Sequence, residues 1–255
     1  MLASFCLRLA CGLIAGLTVL SPAQINPRFF RTHFLTALGL SAVTVVLARD
    51  SLTLPAWLVM GAVLLLSFLG SFAWSLEGAP GGRLIIFAVA GLLVAGLVMT
   101  TRAATPDEGS EIYVQGPGWM AAGELTSAAL LGTSTTAMLM GHSYLIAPAM
   151  SLTPLMRLLV AMFAALFARA SLGGFGLWSW TIDHGLGTLN DVTILLPLRW
   201  GLGVLAPLIL GIMAWQTARI RSTQSATGIL YVVVIFVFLG ELISQLLYQM
   251  TGFVL

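Results

Sequence analysis

Runs of about twenty mostly apolar residues, broken by proline, glycine or charge, recur eight times along this chain, and that is the length a membrane-spanning helix requires. They lie near Ser4–Leu20, His33–Leu47, Pro55–Ser75, Leu84–Thr100, Trp119–Gly141, Pro154–Ser171, Leu198–Thr217 and Thr223–Gln249. The pattern predicts an all-α, polytopic transmembrane helix bundle of about eight spans. Residues 1–255 read as a single integral membrane domain, with no soluble domain, low-complexity linker or repeat in the sequence. The first run has a second reading. Arg8, the apolar stretch Leu9–Leu20 and then Ser21-Pro22-Ala23 resemble a signal peptide with a small-residue cleavage site. Gly12-x-x-x-Gly16 in the same run offers the small-residue face on which a membrane helix packs closely against a neighbour.

Composition supports the membrane reading. The chain has 255 residues, of which 59% are hydrophobic and 8% charged, and its mean hydropathy is +1.02; soluble domains carry about 25% charged residues. Eleven positive against nine negative residues give a net charge of +2, which excludes a basic nucleic-acid surface. All the positive residues are arginine, so neither a lysine Schiff base nor a P-loop lysine is available. Cys6 and Cys11 suit neither a zinc site nor an evident disulfide. There is no His-Glu-x-x-His, no Gly-x-Ser-x-Gly and no metal-spaced cluster of acids and histidines.

Arginine placement sets the expected orientation. The odd-numbered connections hold Arg28, Arg31, Arg83, Arg157, Arg219 and Arg221. The even ones hold Arg49, Arg102, Arg169 and Arg199 together with Asp50, Asp107, Glu108, Glu111, Asp183 and Asp191. Because positive residues are retained in the cytoplasm, the odd connections are expected inside and both termini on the outer side. The longest connections, Arg102–Gly118 and Leu172–Pro197, are then external. The lysine-free, acid-out pattern fits a bacterial inner membrane.

Ionisable groups in apolar runs are costly to bury, and they are the functional pointers of such a chain. Arg199 and Glu241 each lie 21 residues from Ile220, the turn of the last hairpin. At about 1.5 Å per residue both fall ~30 Å from that turn, where they can pair. Such a pair is a structural clasp, or else a proton-carrying or substrate site with Glu124 as a second acid. An isolated pair would tolerate exchange of its two residues better than loss of either.

At the opposite face, His33 opens the second run and His142 closes the fifth in Gly141-His142-Ser143-Tyr144. Two imidazoles at one level suggest axial ligands of a b-type haem, with Arg28, Arg31 or Arg157 for its propionates. A quinone asks for less, and His142, Tyr144 and Arg157 would supply a donor, a supporting donor and a positive charge. The turn at Arg219, Arg221, Ser222 and Thr223 reads as a helix start with an anion or lipid-headgroup seat. Ser127, Gly132, Thr133, Ser134, Thr135 and Thr136 make the fifth run small and polar, as in a helix that packs centrally or lines a cavity.

A last patch gathers Trp178, Trp180, Asp183 and His184 within seven positions. Over about a dozen residues it is similar to the tryptophan-rich external segment of the cytochrome c haem-handling proteins. Thr181-Ile182 interrupts that motif, however, and the flanking histidines are missing, so the likeness does not make the chain a member. Three functions follow. The favoured one is a membrane subunit of a respiratory-type electron-transfer complex, contacting quinone or haem, with partner subunits supplying the redox centres. The alternative is a small-solute or ion transporter using the Arg/Glu pair. A haem-handling or assembly factor is the third.

Overall fold

The computed structural model describes residues 1–76, 81–103, 116–147, 150–184 and 194–255, with 101–103 and 183–184 as backbone only. Among these residues every regular element is helical. The helices are α1 (Leu2–Thr18), α2 (Pro27–Ala48), α3 (Leu54–Ala73), α4 (Gly82–Ala103), α5 (Pro117–Ile146), α6 (Thr153–His184), α7 (Leu195–Trp200), α8 (Ala206–Arg219) and α9 (Thr223–Thr251). A 3-10 turn, Pro22–Gln24, joins α1 to α2, and a π-helical turn, Gly201–Leu205, joins α7 to α8.

Six helical stretches are long and apolar enough to cross a membrane: α2, α3, α4 to Thr100, α6 to Ile182, the α7–α8 unit and α9. Their outward faces carry large apolar side chains such as Leu58, Phe68, Leu84, Phe167, Ile209 and Ile235. The interior instead holds Ser41, Ser67, Ser127, Ser134, Arg169, Arg199 and Glu241. A lipid-like apolar exterior, with the polar and charged side chains kept inside among apolar ones, is the arrangement a bilayer solvent selects and water would not.

α1 and α5, which are not among those six stretches, form the centre. α1 packs against α2, α4 and α5, and α5 packs against α1, α4, α6 and α9. Glycine permits the α1–α5 crossing: a Cβ on Gly12 would stand 1.8 Å from the Ala128 carbonyl oxygen, and one on Gly132 would stand 1.9 Å from the Gly12 carbonyl carbon. The hydroxyls of α5 are satisfied mostly within their own helix, Thr133 donating to Ala129 O at 2.6 Å and Thr135 to Leu131 O at 2.7 Å. The helix is thereby polar in composition without offering free donors to lipid.

Two sequence expectations are corrected. The sixth run does not end near Ser171. α6 continues to His184, so Trp178 and Trp180 lie on a helix and not in an external loop. Gly173, Gly174 and Gly176 do not break it, consistent with the tolerance of membrane helices for glycine. Arg169 and Arg199, counted as connection residues, are also helical, Arg169 midway along α6 and Arg199 in α7. Of the external acids, Asp107, Glu108, Glu111 and Asp191 lie outside the described residues.

Candidate functional site

Two arginines and a serine from three helices converge on Glu241 of α9. Glu241 is fully buried, with Gly240 before it and Ser244 and Gln245 one turn on. Its carboxylate accepts from Ser127 Oγ of α5 at 2.6 Å. It also accepts from Arg169 Nε of α6 at 3.0 and 3.2 Å, and from Arg199 Nη2 of α7 at 3.2 Å. Arg169 Nη2 donates further to Ser244 Oγ at 2.8 Å, and Ser244 Oγ donates to the Leu255 backbone oxygen at 3.0 Å. Arg199 Nε reaches the same oxygen at 3.4 Å. Both guanidiniums are buried, at 3% and 2% exposure for Arg169 and Arg199.

Local sequence explains how such a crowded group fits. Pro207 sits in the first turn of α8 and has no N–H to give to the residue four before it, Gly203. The chain answers with the π turn, in which the Ala206 N–H bonds to Gly201 O, five residues back. The turn brings Gly203 against Gly240 of α9, and a Cβ on Gly203 would stand 2.2 Å from Arg199 Nη1 and 2.9 Å from Gly240 Cα. The guanidinium fills the space that side chains at 203 and 240 would take. At the far end of α9, Gly252 has φ of 72° and its N–H caps Tyr248 O. This left-handed residue turns Phe253 and Leu255 back into the bundle, where both are buried.

A second ion pair lies beside the first. Arg8 of α1 grips Glu124 of α5 through two donors, Nε to Oε2 and Nη2 to Oε1. Gln245, with its amide oxygen toward Arg8, accepts from Nη1 at 2.9 Å, while its nitrogen donates to the Met1 carbonyl at 3.2 Å. Arg8, Glu124, Arg169, Ser244, Gln245 and Tyr248 line a cavity of about 30 Å³ between the two pairs. That is room for about one water molecule, and none for a ring.

Arg199 and Glu241 meet. Glu124 does not join them, because Arg8 holds it. Arg169 makes the pair a triad, so exchanging residues 199 and 241 would set an arginine against Arg169; the exchange is no longer the mild change an isolated pair implies. His33 is buried at 1% exposure, its Nδ1 at 2.8 Å from Phe29 O and its Nε2 without a partner. His142 and Arg157 are exposed. Tyr144 is buried and donates to Ser151 O at 2.6 Å, which leaves its hydroxyl proton committed. Among the described residues no hydrogen bond or ion pair joins His33, His142, Tyr144 and Arg157 to one another. Arg219 and Arg221 are exposed at their turn, where Arg221 has φ of 59°; Ser222 caps no backbone N–H and donates instead to Ser225 Oγ at 3.1 Å. On α6, Trp178 is exposed and packs its ring 5.4 Å from Phe175, whereas Trp180 is buried. The side chains of Asp183 and His184 lie outside those described.

Arg8, Arg169, Ser244 and Gln245 were not singled out from the sequence. A signal for Arg8 exists: it and Glu124 each stand about two turns inside the start of a helix, and α1 and α5 enter from the same face if spans alternate. For Arg169 the signal is the apolar run itself, which continues through the glycines to Trp180.

A groove is the other concave feature. Between the α1–α2 junction and the start of α4 an open space of about 620 Å³ is lined by Ser21, Pro22, Pro27, Trp74, Arg83 and Leu84 among others. Phe30 of α2 stacks on Trp74, with centroids 4.2 Å apart and 13° between planes. The Trp74 Nε1 is buried without a partner. His33 lies about one turn beyond Phe30 on α2.

No family model matches this sequence, and no curated protein or solved structure is detectably similar to it.

Proposed function

We propose that this chain is an eight-span protein of a bacterial inner membrane, with both termini outside, that serves as the membrane subunit of an electron-transfer assembly and contacts quinone. The eight spans are the six long apolar helical stretches together with α1, 17 residues long, and α5, whose hydroxyls are mostly satisfied internally. The orientation rests on the excess of arginine in the odd connections.

The observation that carries the reading is the contrast between the two concave features. The charged centre is closed: its carboxylates are saturated, its cavity is water-sized, and its helices meet backbone to backbone at Gly203–Gly240 and Gly12–Gly132. A transporter using the Arg/Glu pair would need that centre to open alternately to two sides. The groove, in contrast, has the size of small-ligand sites, about 300–1,000 Å³, with apolar walls and a single arginine at its lip. A quinone ring fits that description, its tail lying along the lipid-facing side. Arg83, exposed at the groove, would be the group offered to a carbonyl oxygen, and proteins bound outside the bundle would supply the electrons.

The test is the quinone content of protein extracted in mild detergent. The expected result is quinone that falls severalfold in Arg83→Ala and is unchanged in His142→Ala. Quinone equal in Arg83→Ala and the parent removes the groove from the account.

A further inference from the structure

We propose that an open apolar crease between α6 and α8 binds an anionic phospholipid, its acyl chain lying along the crease and its phosphate held between Arg157 and Arg219. The crease has a volume of about 280 Å³ and is walled by Val160 and Phe163 of α6 and by Ile212 and Trp215 of α8. Val160 and Ile212 are exposed, so it opens on the outward face of the bundle. Phe163 and Trp215 are half-buried, with ring centroids 6.4 Å apart. Gly211 lets the Phe163 ring lie against α8, since a Cβ there would stand 2.9 Å from it.

Helix register brings the two arginines to one end of the crease. Gly174 of α6 lies against Trp200 of α7, and Met162 and Phe163 lie against Gly211. Residue numbers therefore fall along α6 as they rise along α7 and α8, and the helices run antiparallel. Arg157 is six residues before Phe163 and Arg219 four after Trp215, about 9 and 6 Å in the same direction at about 1.5 Å per residue. Arg157, Val160 and Ala164 stand at i, i+3 and i+7 and are all exposed; Ile212, Trp215 and Arg219 repeat that spacing on α8.

Charge selects the occupant. Arg157 and Arg219 are exposed, and neither forms an ion pair among the described residues. The described acids are engaged elsewhere: Glu124 with Arg8, Glu241 with Arg169 and Arg199, and Asp50 with Arg49. Two unpaired cations at the end of an apolar crease match a phosphate joined to hydrocarbon. Phosphatidylcholine brings its own cation beside the phosphate, whereas phosphatidylglycerol leaves that charge to the arginines. Free phosphate would satisfy the arginines and leave the crease uncovered.

Brominated lipids test this, because a brominated acyl chain quenches a tryptophan it touches. The protein is reconstituted in phosphatidylcholine containing a small fraction of brominated phosphatidylglycerol or of brominated phosphatidylcholine. The Trp215 signal is the difference between the parent and Trp215→Phe. Phosphatidylglycerol is expected to quench it at a fraction on the order of tenfold lower than phosphatidylcholine. Arg157→Gln and Arg219→Gln are each expected to reduce that preference severalfold, and the double variant to abolish it. Arg31→Gln, exposed on α2, whose packing partners are α1 and α3, is expected to leave it unchanged. Equal quenching by the two brominated lipids, or a preference that survives in the double variant, overturns the site. Quenching by neither lipid also overturns it, and oligomers in that case place a second copy of the chain over Trp215. Phosphatidylglycerol retained by the parent and by the double arginine variant, counted by native mass spectrometry, decides even if Trp215→Phe folds poorly. No arm depends on quinone binding.

Discussion

Glu241→Ala is expected to be the most damaging single side-chain truncation in the bundle. It leaves Arg169 and Arg199 buried at 3% and 2% exposure with no carboxylate between them. Removing one partner of a buried ion pair costs about 3–5 kcal/mol, most of it the desolvation of the charge left behind. Here two charges are left behind and repel each other. Ser127→Ala removes only one hydroxyl donor from the same carboxylate, at 2.6 Å, and is expected to cost about 1.5–3 kcal/mol. Thermal unfolding in detergent, read by the loss of monodisperse protein, ranks the two. Equal midpoints for Glu241→Ala and the parent would mean that the carboxylate is not holding the arginines.

The second large effect belongs to a contact without any charge. Gly12→Ala and Gly132→Ala are each expected to push α1 off α5, because their new methyl groups would meet backbone atoms at 1.8 and 1.9 Å. Backbone cannot rotate away as a side chain does, so the adjustment is a helix displacement, beyond the usual 1–3 kcal/mol of an overpacked core. The displacement would also separate Arg8 from Glu124, which lie on the same two helices. Gly61→Ala and Gly91→Ala are the controls, since a Cβ at either meets nothing within 4 Å. Those two are expected to match or slightly exceed the parent in stability, as helical Gly→Ala changes do. Parent-like midpoints for all four variants would contradict the close α1–α5 crossing.

Much of this architecture was legible in the sequence because a bilayer constrains helices by length and composition. Gly12-x-x-x-Gly16 marked a packing face, and Gly12 stands at the closest approach of α1 to α5. Equal spacing from Ile220 placed Arg199 level with Glu241, and the two are in contact. What the sequence could not give was rotation. Spacing fixes depth along a helix, while which face a residue turns to its neighbours depends on packing across the bundle. Glu124 therefore looked like a second acid for the Glu241 site when it belongs to Arg8. Arg169 was hidden for a different reason: three glycines after it read as a helix end, yet α6 runs through them to His184. The π turn was also hidden, although Pro207 four residues after Gly203 is its physical cause. The groove beside Trp74 is assembled from the α1–α2 and α3–α4 junctions and the first residues of α2 and α4, and no single segment announces it.

What accompanies the chain out of the membrane separates electron transfer from transport. Extraction in mild detergent, followed by mass spectrometry of proteins and lipid-soluble molecules and an absorption spectrum, reads partners, quinone and pigment from one preparation. An electron-transfer subunit predicts stoichiometric redox proteins and bound quinone. A colourless chain that purifies alone, without quinone, and that supports solute flux in proteoliposomes dependent on Glu241 and Arg199 would contradict it and make the charged centre the site of transport.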